Sequence, residues 1–224
     1  MKAMILAAGR GSRMGDLTND IPKPLTKIGK LTLIEHNILR LKNSGIYEIC
    51  INVSYLGNKI KEYLKSGNHL GVNIHYLDET KQMLGTGGGI LNALNFLGDD
   101  PFWLVNADLY SDYEIPNKKK LEPSLEGHLI LVPNPPHNSD GDFCLEGDNV
   151  YLSHEKNFYT YSGISLLSPK LFRNIRKKIF SLEPLLESKA DDRCLSGEFY
   201  DGFWLDVGTK ERLNFIHQKI NNHV

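Results

Sequence analysis

The residues of this chain best suited to chemistry are two cations, two carboxylates and two glycine-rich stretches. Near the start the sequence runs Leu6-Ala7-Ala8-Gly9-Arg10-Gly11-Ser12-Arg13, and then Pro22-Lys23-Pro24-Leu25. Small residues let a ligand approach the backbone of Ala7, Ala8, Gly9, Gly11 and Ser12, and both glycines can take positive φ. Successive N–H groups in such a loop form a concavity for an anion. Arg13 beside it offers a planar fork of donors suited to phosphate. Lys23 stands between two prolines, whose fixed φ stiffens the backbone on both sides. One cation on a rigid backbone suits a single phosphate held in one geometry. Asp108 follows the apolar run Phe102 to Val105, in Asn106-Ala107-Asp108, and Asp206 follows Trp204-Leu205. Both are hard oxygen donors, which Mg²⁺ takes one or two at a time with phosphate and water. They stand 98 positions apart (206 − 108). Spacing therefore does not pair them, and each also reads as a turn or helix-capping aspartate.

Alternation of strands and helices supplies the frame for these residues. Ala3 to Ala8 is an apolar run too short for a helix and reads as a buried strand. Leu33, Ile34, Ile38 and Leu41 recur at helical spacing up to Gly45, and Tyr47, Ile49, Ile51 and Val53 alternate as in a strand. A second helix spans Leu56 to Leu64, and a strand follows through Val72, Ile74 and Tyr76. The cluster Gly85-Thr86-Gly87-Gly88-Gly89 then opens onto Ile90, Leu91, Leu94 and Leu97 at helical spacing. This βαβαβ order predicts an α/β fold: a Rossmann-like three-layer sandwich with a mixed, mostly parallel central sheet. Ligands in such sheets bind beyond the C-terminal strand ends, where both glycine loops and Asp108 fall. The second half reads as a strand over 129–132, a hairpin around Gly147-Asp148, a strand over 159–167, helices over 170–180 and 182–189, a short strand within 199–207 and a closing helix over 210–220. No linker or repeat divides the chain, so 1–224 reads as one domain, with about 1–110 carrying both glycine loops and Asp108 and about 111–224 completing the site. Lys118-Lys119-Lys120 reads as a solvated loop.

Several functional classes are set aside. No Gly-x-x-x-x-Gly-Lys-Ser/Thr loop is present, and Met14 stands where a dinucleotide fingerprint needs its third glycine. No Gly-x-Ser-x-Gly turn supports a hydrolytic triad, and pairs such as Ser111-Asp112 and Ser153-His154 carry no signal alone. The eight histidines show no metal spacing, and the three cysteines form no CxxC. A net charge of −1 gives no field for nucleic acid or anionic membrane. No apolar run approaches the roughly 20 residues of a membrane span, and the cytoplasm is the expected compartment.

The string Leu-Ala-Ala-Gly-x-Gly-x-Arg ahead of Pro-Lys-Pro resembles the signature of the sugar-1-phosphate nucleotidyltransferases, and the resemblance runs from Met1 to about Leu213. It implies a nucleotide-diphospho-sugar transferase fold and the joining of a nucleoside triphosphate to a sugar 1-phosphate with release of pyrophosphate. It pairs Asp108 with Asp206, in Trp204-Leu-Asp-Val-Gly-Thr209, as ligands of Mg²⁺, although Ala107 stands where the family's segment usually has glycine. It gives Arg13 and Lys23 the phosphates, and sets the base against Leu6 to Gly9 and against Gly87 and Gly88, with Gln82 as a further contact. Asn106 falls at the same strand end. Tyr161-Ser162-Gly163-Ile164 matches the segment lying along the sugar, where Asp142 and Glu183 are candidates for its hydroxyls. Glu79 to Gly89, Asn134 to Phe143 and Leu195 to Leu213 look most like the branch using UTP and N-acetylmuramic acid 1-phosphate in cell-wall recycling. Guanylyl, thymidylyl or cytidylyl transfer to mannose, heptose or glucose 1-phosphate shares the first half of these motifs. A glycosyltransferase, or a nucleotide-sugar binding protein without turnover, stays open beside them. A monomer or small homo-oligomer is expected.

Overall fold

The computed structural model describes residues 1–153 and 157–221, so His154 lies outside the described residues. Strand β1 (Lys2–Leu6) is central to the first half. It pairs in parallel with β4 (Glu48–Val53) on one side and β6 (Phe102–Asn106) on the other, and β4 pairs in parallel with β5 (Asn73–Asp78). Between β1 and β4 lie the short helix α1 (Leu17–Asp20), the two-residue strands β2 (Lys27–Ile28) and β3 (Leu31–Thr32), and α2 (Leu33–Asn43). Thr32 and Glu35 form a reciprocal capping box at the start of α2, and Gly45 (φ +75) ends it as the Ile46 and Gly45 N–H groups bond back to Leu41 and Lys42. Helix α3 (Gly57–Leu64) joins β4 to β5, and α4 (Gly85–Leu97) joins β5 to β6.

The sheet then turns mixed. After β7 (Leu109–Ser111) comes β8 (Gly127–Pro133), the hairpin β9 (Cys144–Glu146) and β10 (Asn149–Tyr151), and β11 (Tyr159–Leu167). Helix α5 (Glu183–Asp191), β12 (Leu195–Phe199), β13 (Trp204–Asp206) and α6 (Lys210–Asn221) complete the chain. Nine strands lie in the order β5-β4-β1-β6-β11-β8-β12-β10-β9, with β11 antiparallel to both neighbours and β12 parallel to β8. This is the expected three-layer α/β sandwich. Alternate residues of each central strand face opposite layers. Ile5, Ile51 and Trp103 pack with Ile34 and Ile38 of α2, while Met4, Cys50 and Leu104 pack with Ile90 of α4 and Leu186 of α5. Burial on both faces explains why these strands read as continuous apolar runs.

Two expectations differ from the structure. Residues 170–180 are not a helix: a single 3₁₀ turn, Pro169–Phe172, runs into an irregular strap of turns and bends over 173–182. The strap's backbone bonds elsewhere instead. The Phe180 N–H donates to the Leu84 carbonyl (3.0 Å), and the Phe180 carbonyl accepts from the Gly87 and Gly88 N–H groups (3.1 and 3.2 Å). Lys119 is not a purely solvated side chain, because it pairs with Glu198 of β12 at 2.5 Å.

One buried side chain ties the fold to the site. Asn37 on α2 is 1% exposed; its Nδ2 donates to the carbonyls of Leu33 and Leu109 (both 3.0 Å), and its Oδ1 accepts from Arg40 (2.5 Å). Burial lowers the Arg40 pKa to about 10, and Arg40 also reaches the Ser111 carbonyl. These two residues brace the turn carrying Asp108. Asn37→Ala leaves a buried carbonyl and a buried guanidinium short of partners, so unfolding in urea is expected to become easier by about 2–3 kcal/mol. A change below about 0.5 kcal/mol would show that the brace carries no stability.

Candidate active site

The turn after β1 is fixed by a buried hydrogen-bond chain at Ala7 and by the Lys23 stem at Gly11. The Ala7 N–H donates to Asn52 Oδ1 (2.9 Å), Asn52 Nδ2 donates to Glu79 Oε1 (2.8 Å), and Glu79 Oε2 accepts from the Leu84 N–H (3.1 Å). This buried chain of amide and carboxylate links the ends of β1, β4 and β5 to the start of α4. Gly11 has φ +68, and a Cβ there would sit 3.0 Å from the Lys23 Cβ, so the turn needs glycine both for its conformation and for the lysine stem packed on it. Gly9 does not take positive φ, contrary to expectation, and a Cβ there would meet nothing within 4 Å. Arg13 is exposed on the 3₁₀ turn Ser12–Met14. Between this turn and the start of α4 lies a cleft of about 380 Å³. Leu6 to Gly9, Gly11 to Arg13, Lys23, Asn106 and Asp108 all line it.

Sheet pairing brings the distant carboxylates together. β13 runs antiparallel to β7 with Asp206 opposite Leu109, and the Val207 N–H donates to the Asp108 carbonyl (2.9 Å). Lys23, 7% exposed, holds Asp108 at 2.5 Å. Asp206 Oδ1 lies 2.6 Å from Arg212 Nη1 and 3.2 Å from His137 Nε2. Burial raises the Asp206 pKa, Arg212 and His137 oppose the shift, and the Asp108 carboxylate adds to it. Among the described residues no group of three or more His, Cys, Asp or Glu side chains converges as a complete metal cage. Two hard carboxylates without soft neighbours fit a cation that brings phosphate oxygens with it.

A second cavity, about 190 Å³, shares Leu6, Thr86 and Asn106 with the first. Asp142, Tyr161 and Glu183 line it too. Asp142 is held by Asn138 Nδ2 and the Tyr161 N–H, both at 2.8 Å. Ser162 and Gly163 do not line either cavity. They form a bulge in β11: Gly163 has φ +78, a Cβ there would lie 2.5 Å from Asn106 Nδ2, and the Ser162 carbonyl accepts from Trp204 Nε1 (2.9 Å). They back Asn106 and the Trp204 segment.

A glycine turn, the cations Arg13 and Lys23 and a carboxylate pair beside a second cavity that carries Asp142 and Glu183 suit transfer of a phosphorus group between two anionic substrates. Residues 2–135 match the family described as Nucleotidyl transferase. The N-acetylmuramate alpha-1-phosphate uridylyltransferase of Neisseria meningitidis serogroup B is 42% identical over 220 residues, covering 95% of each chain. The D-glycero-alpha-D-manno-heptose 1-phosphate guanylyltransferase of Campylobacter jejuni is 30% identical, covering 99% of this chain and 100% of its own. The chain belongs to the sugar-1-phosphate nucleotidyltransferase family. In fold it superposes on HddC of Yersinia pseudotuberculosis, solved with GMP-PN, with a TM-score of 0.79 at 24% identity, covering 98% of this chain and 99% of that one.

Within this nucleotidyltransferase the second glycine stretch is the first turn of α4, not a loop. Gly85 and Thr86 line the first cleft, whereas Gly87 and Gly88 are buried under the strap. A Cβ at Gly87 would lie 2.2 Å from the Phe180 ring, and one at Gly88 2.3 Å from the Lys178 carbonyl. Close approach of the strap therefore accounts for these two glycines. Gln82 is exposed and lines neither cavity. Asn52 and Glu79 also line the first cleft, and neither is among the candidates read from the sequence. The available signal is position: Asn52 is next to last in β4 and Glu79 directly follows β5, both at the C-terminal edge of the parallel strands.

Proposed function

We propose that this nucleotidyltransferase uses UTP and N-acetylmuramic acid 1-phosphate with Mg²⁺, giving the UDP-sugar and pyrophosphate. The observation that carries the substrate choice is the 42% identity across 95% of both chains with the Neisseria uridylyltransferase. On this reading the triphosphate lies in the first cleft, along the backbone of Leu6 to Gly9 and the Gly85–Thr86 turn. Arg13 meets the outer phosphates and Lys23 the α-phosphate. The sugar occupies the second cavity, between Asp142 and Glu183. A phosphate oxygen of the sugar 1-phosphate attacks the α-phosphorus; that P–O bond forms while the α–β bridging P–O bond breaks, and pyrophosphate leaves with the electron pair. The nucleophile is already ionised at neutral pH, so no general base is needed. Asp108 and Asp206 would hold Mg²⁺, which supplies charge neutralisation at the phosphates when bound. The chain's own contribution is positioning and preorganised positive charge. A cytoplasmic location fits these substrates, and among the described residues no helix is long and apolar enough to cross a membrane.

The test is pyrophosphate release, crossing the four nucleoside triphosphates with a panel of sugar 1-phosphates. Release with UTP plus N-acetylmuramic acid 1-phosphate, at least about ten-fold above any other pair, is the expected result. Preferred release with GTP and a heptose 1-phosphate would move the assignment toward the Campylobacter relative. Tight nucleotide binding without release would point to a binding protein.

A further inference from the structure

The reading above gives no part to Arg212 and His137, although both touch Asp206. Arg212 lies in the first turn of α6, and its side chain is 15% exposed. Nη1 donates to Asp206 Oδ1 at 2.6 Å and lies 2.6 Å from His137 Nε2. Nη2 rests on Gly208, where a Cβ would come within 2.3 Å of it. Gly208 is itself part of the first cleft's wall. The guanidinium is thus seated against the Gly208 backbone, next to the cleft, and a side chain at 208 would push its tip aside. The neighbouring pair, Lys23 with Asp108 at 2.5 Å, completes a quartet of two carboxylates and two cations. Its formal charges sum to zero. A guanidinium does not lose its proton at any working pH, so this neutralisation is permanent.

Each carboxylate is therefore already matched. A bare divalent cation meets no net negative charge here, and it competes with a charge-assisted hydrogen bond at Asp206. A cation arriving with a triphosphate differs, because the phosphates supply ligands and also attract the displaced cations. Resting on the reading of Asp108 and Asp206 as the cation's ligands, we propose that Arg212, steadied by His137, is a positioning residue. It is the resident counter-ion of Asp206, orients that carboxylate, and keeps divalent metal out of the cleft until nucleotide is bound. Metal and nucleotide then enter together rather than in sequence. The side chain is not a catalytic group in this account; it acts through Asp206.

Mn²⁺ binding to the full chain without nucleotide, followed by electron paramagnetic resonance, reads this directly. Arg212→Gln is expected to bind Mn²⁺ at least about ten-fold more tightly than wild type, and Arg212→Lys to stay close to wild type. With a non-hydrolysable UTP analogue present, the difference between wild type and Arg212→Gln is expected to narrow. Arg212→Met keeps the aliphatic stem without the charge and repeats the test if the glutamine variant melts early. Mn²⁺ affinity equal to or weaker than wild type in a folded neutral variant overturns the proposal. Adding Asp206→Asn to the neutral variant separates the two layers of inference. Loss of the gained affinity ties it to Asp206. A gain that survives Asp206→Asn means the metal does not use that carboxylate, and the ligand assignment itself falls.

Discussion

Alanine at position 23 is expected to cut the rate of pyrophosphate release by about 10² to 10³ while the chain stays folded. The Lys23 stem packs on Gly11, and its ammonium is held 2.5 Å from Asp108 at the edge of the cleft. Pro22 and Pro24 and a single 3₁₀ turn, Lys23–Leu25, fix its backbone. Its backbone and stem are therefore set before substrate arrives, so on the proposed reading only the ammonium has to turn from Asp108 to the α-phosphate. Such a preorganised cation acts mainly on the transition state, so the loss is expected in kcat more than in KM. Folding survives because the Asp108 side chain, 29% exposed, can be hydrated once its partner is gone. Steady-state kinetics at saturating substrates, with a thermal melt alongside, check both halves. Turnover like wild type in the alanine variant would remove Lys23 from the mechanism.

What was legible in the sequence was the set of features whose signal is local. Lys2–Leu6, Leu33–Asn43 and Phe102–Asn106 stand out because burial on one or both faces imposes a period or an unbroken apolar run. The glycine turn and Pro22-Lys23-Pro24 stand out because few other residue types satisfy their geometry. β12 was not legible as a strand. Leu195-Ser196-Gly197-Glu198 has one large apolar residue, and its polar groups are tolerated inside the sheet only because distant residues meet them. His128 Nδ1 pairs with Ser196 at 2.8 Å, and Tyr113 and Lys119 both reach Glu198 at 2.5 Å. His128 Nε2 also lies 3.2 Å from Glu198 Oε2, and this contact, ahead of those from Lys119 and Tyr113, holds the Glu198 carboxyl below the usual carboxylate range. The strap over 173–182 misled for a similar reason. Leu171, Ile175 and Ile179 recur every four residues, as in a helix, but the strap's hydrogen-bond partners lie at Leu84, Gly87 and Gly88, far away in the chain. Asn52 and Glu79 read as ordinary polar residues at strand ends until their mutual bond joins the two sides of the cleft.

The same reasoning gives Asp108 the largest expected effect. Asp108→Asn keeps the size and shape of the side chain and removes its charge. In the proposed Mg²⁺-dependent reaction this takes away one of only two protein ligands, and the stabilisation a metal gives a phosphorus-centred transition state is several kcal/mol. A loss of about 4 kcal/mol corresponds to a fall of about 10³ in kcat/KM. The neutral side chain also leaves Lys23 without its counter-charge, so the ammonium loses the contact that aims it. Because Asp108 and Asp206 are joined through the β7–β13 pairing and would serve one ion, their effects are not independent. The double variant Asp108→Asn, Asp206→Asn is therefore expected to be no slower than the worse single variant, within about three-fold. Pyrophosphate release across a Mg²⁺ titration measures this. A fall of less than ten-fold at Asp108 would show that the carboxylate is not a ligand. Additive losses in the double variant would show that the two aspartates act at separate steps, with Asp206 then serving Arg212 rather than the metal.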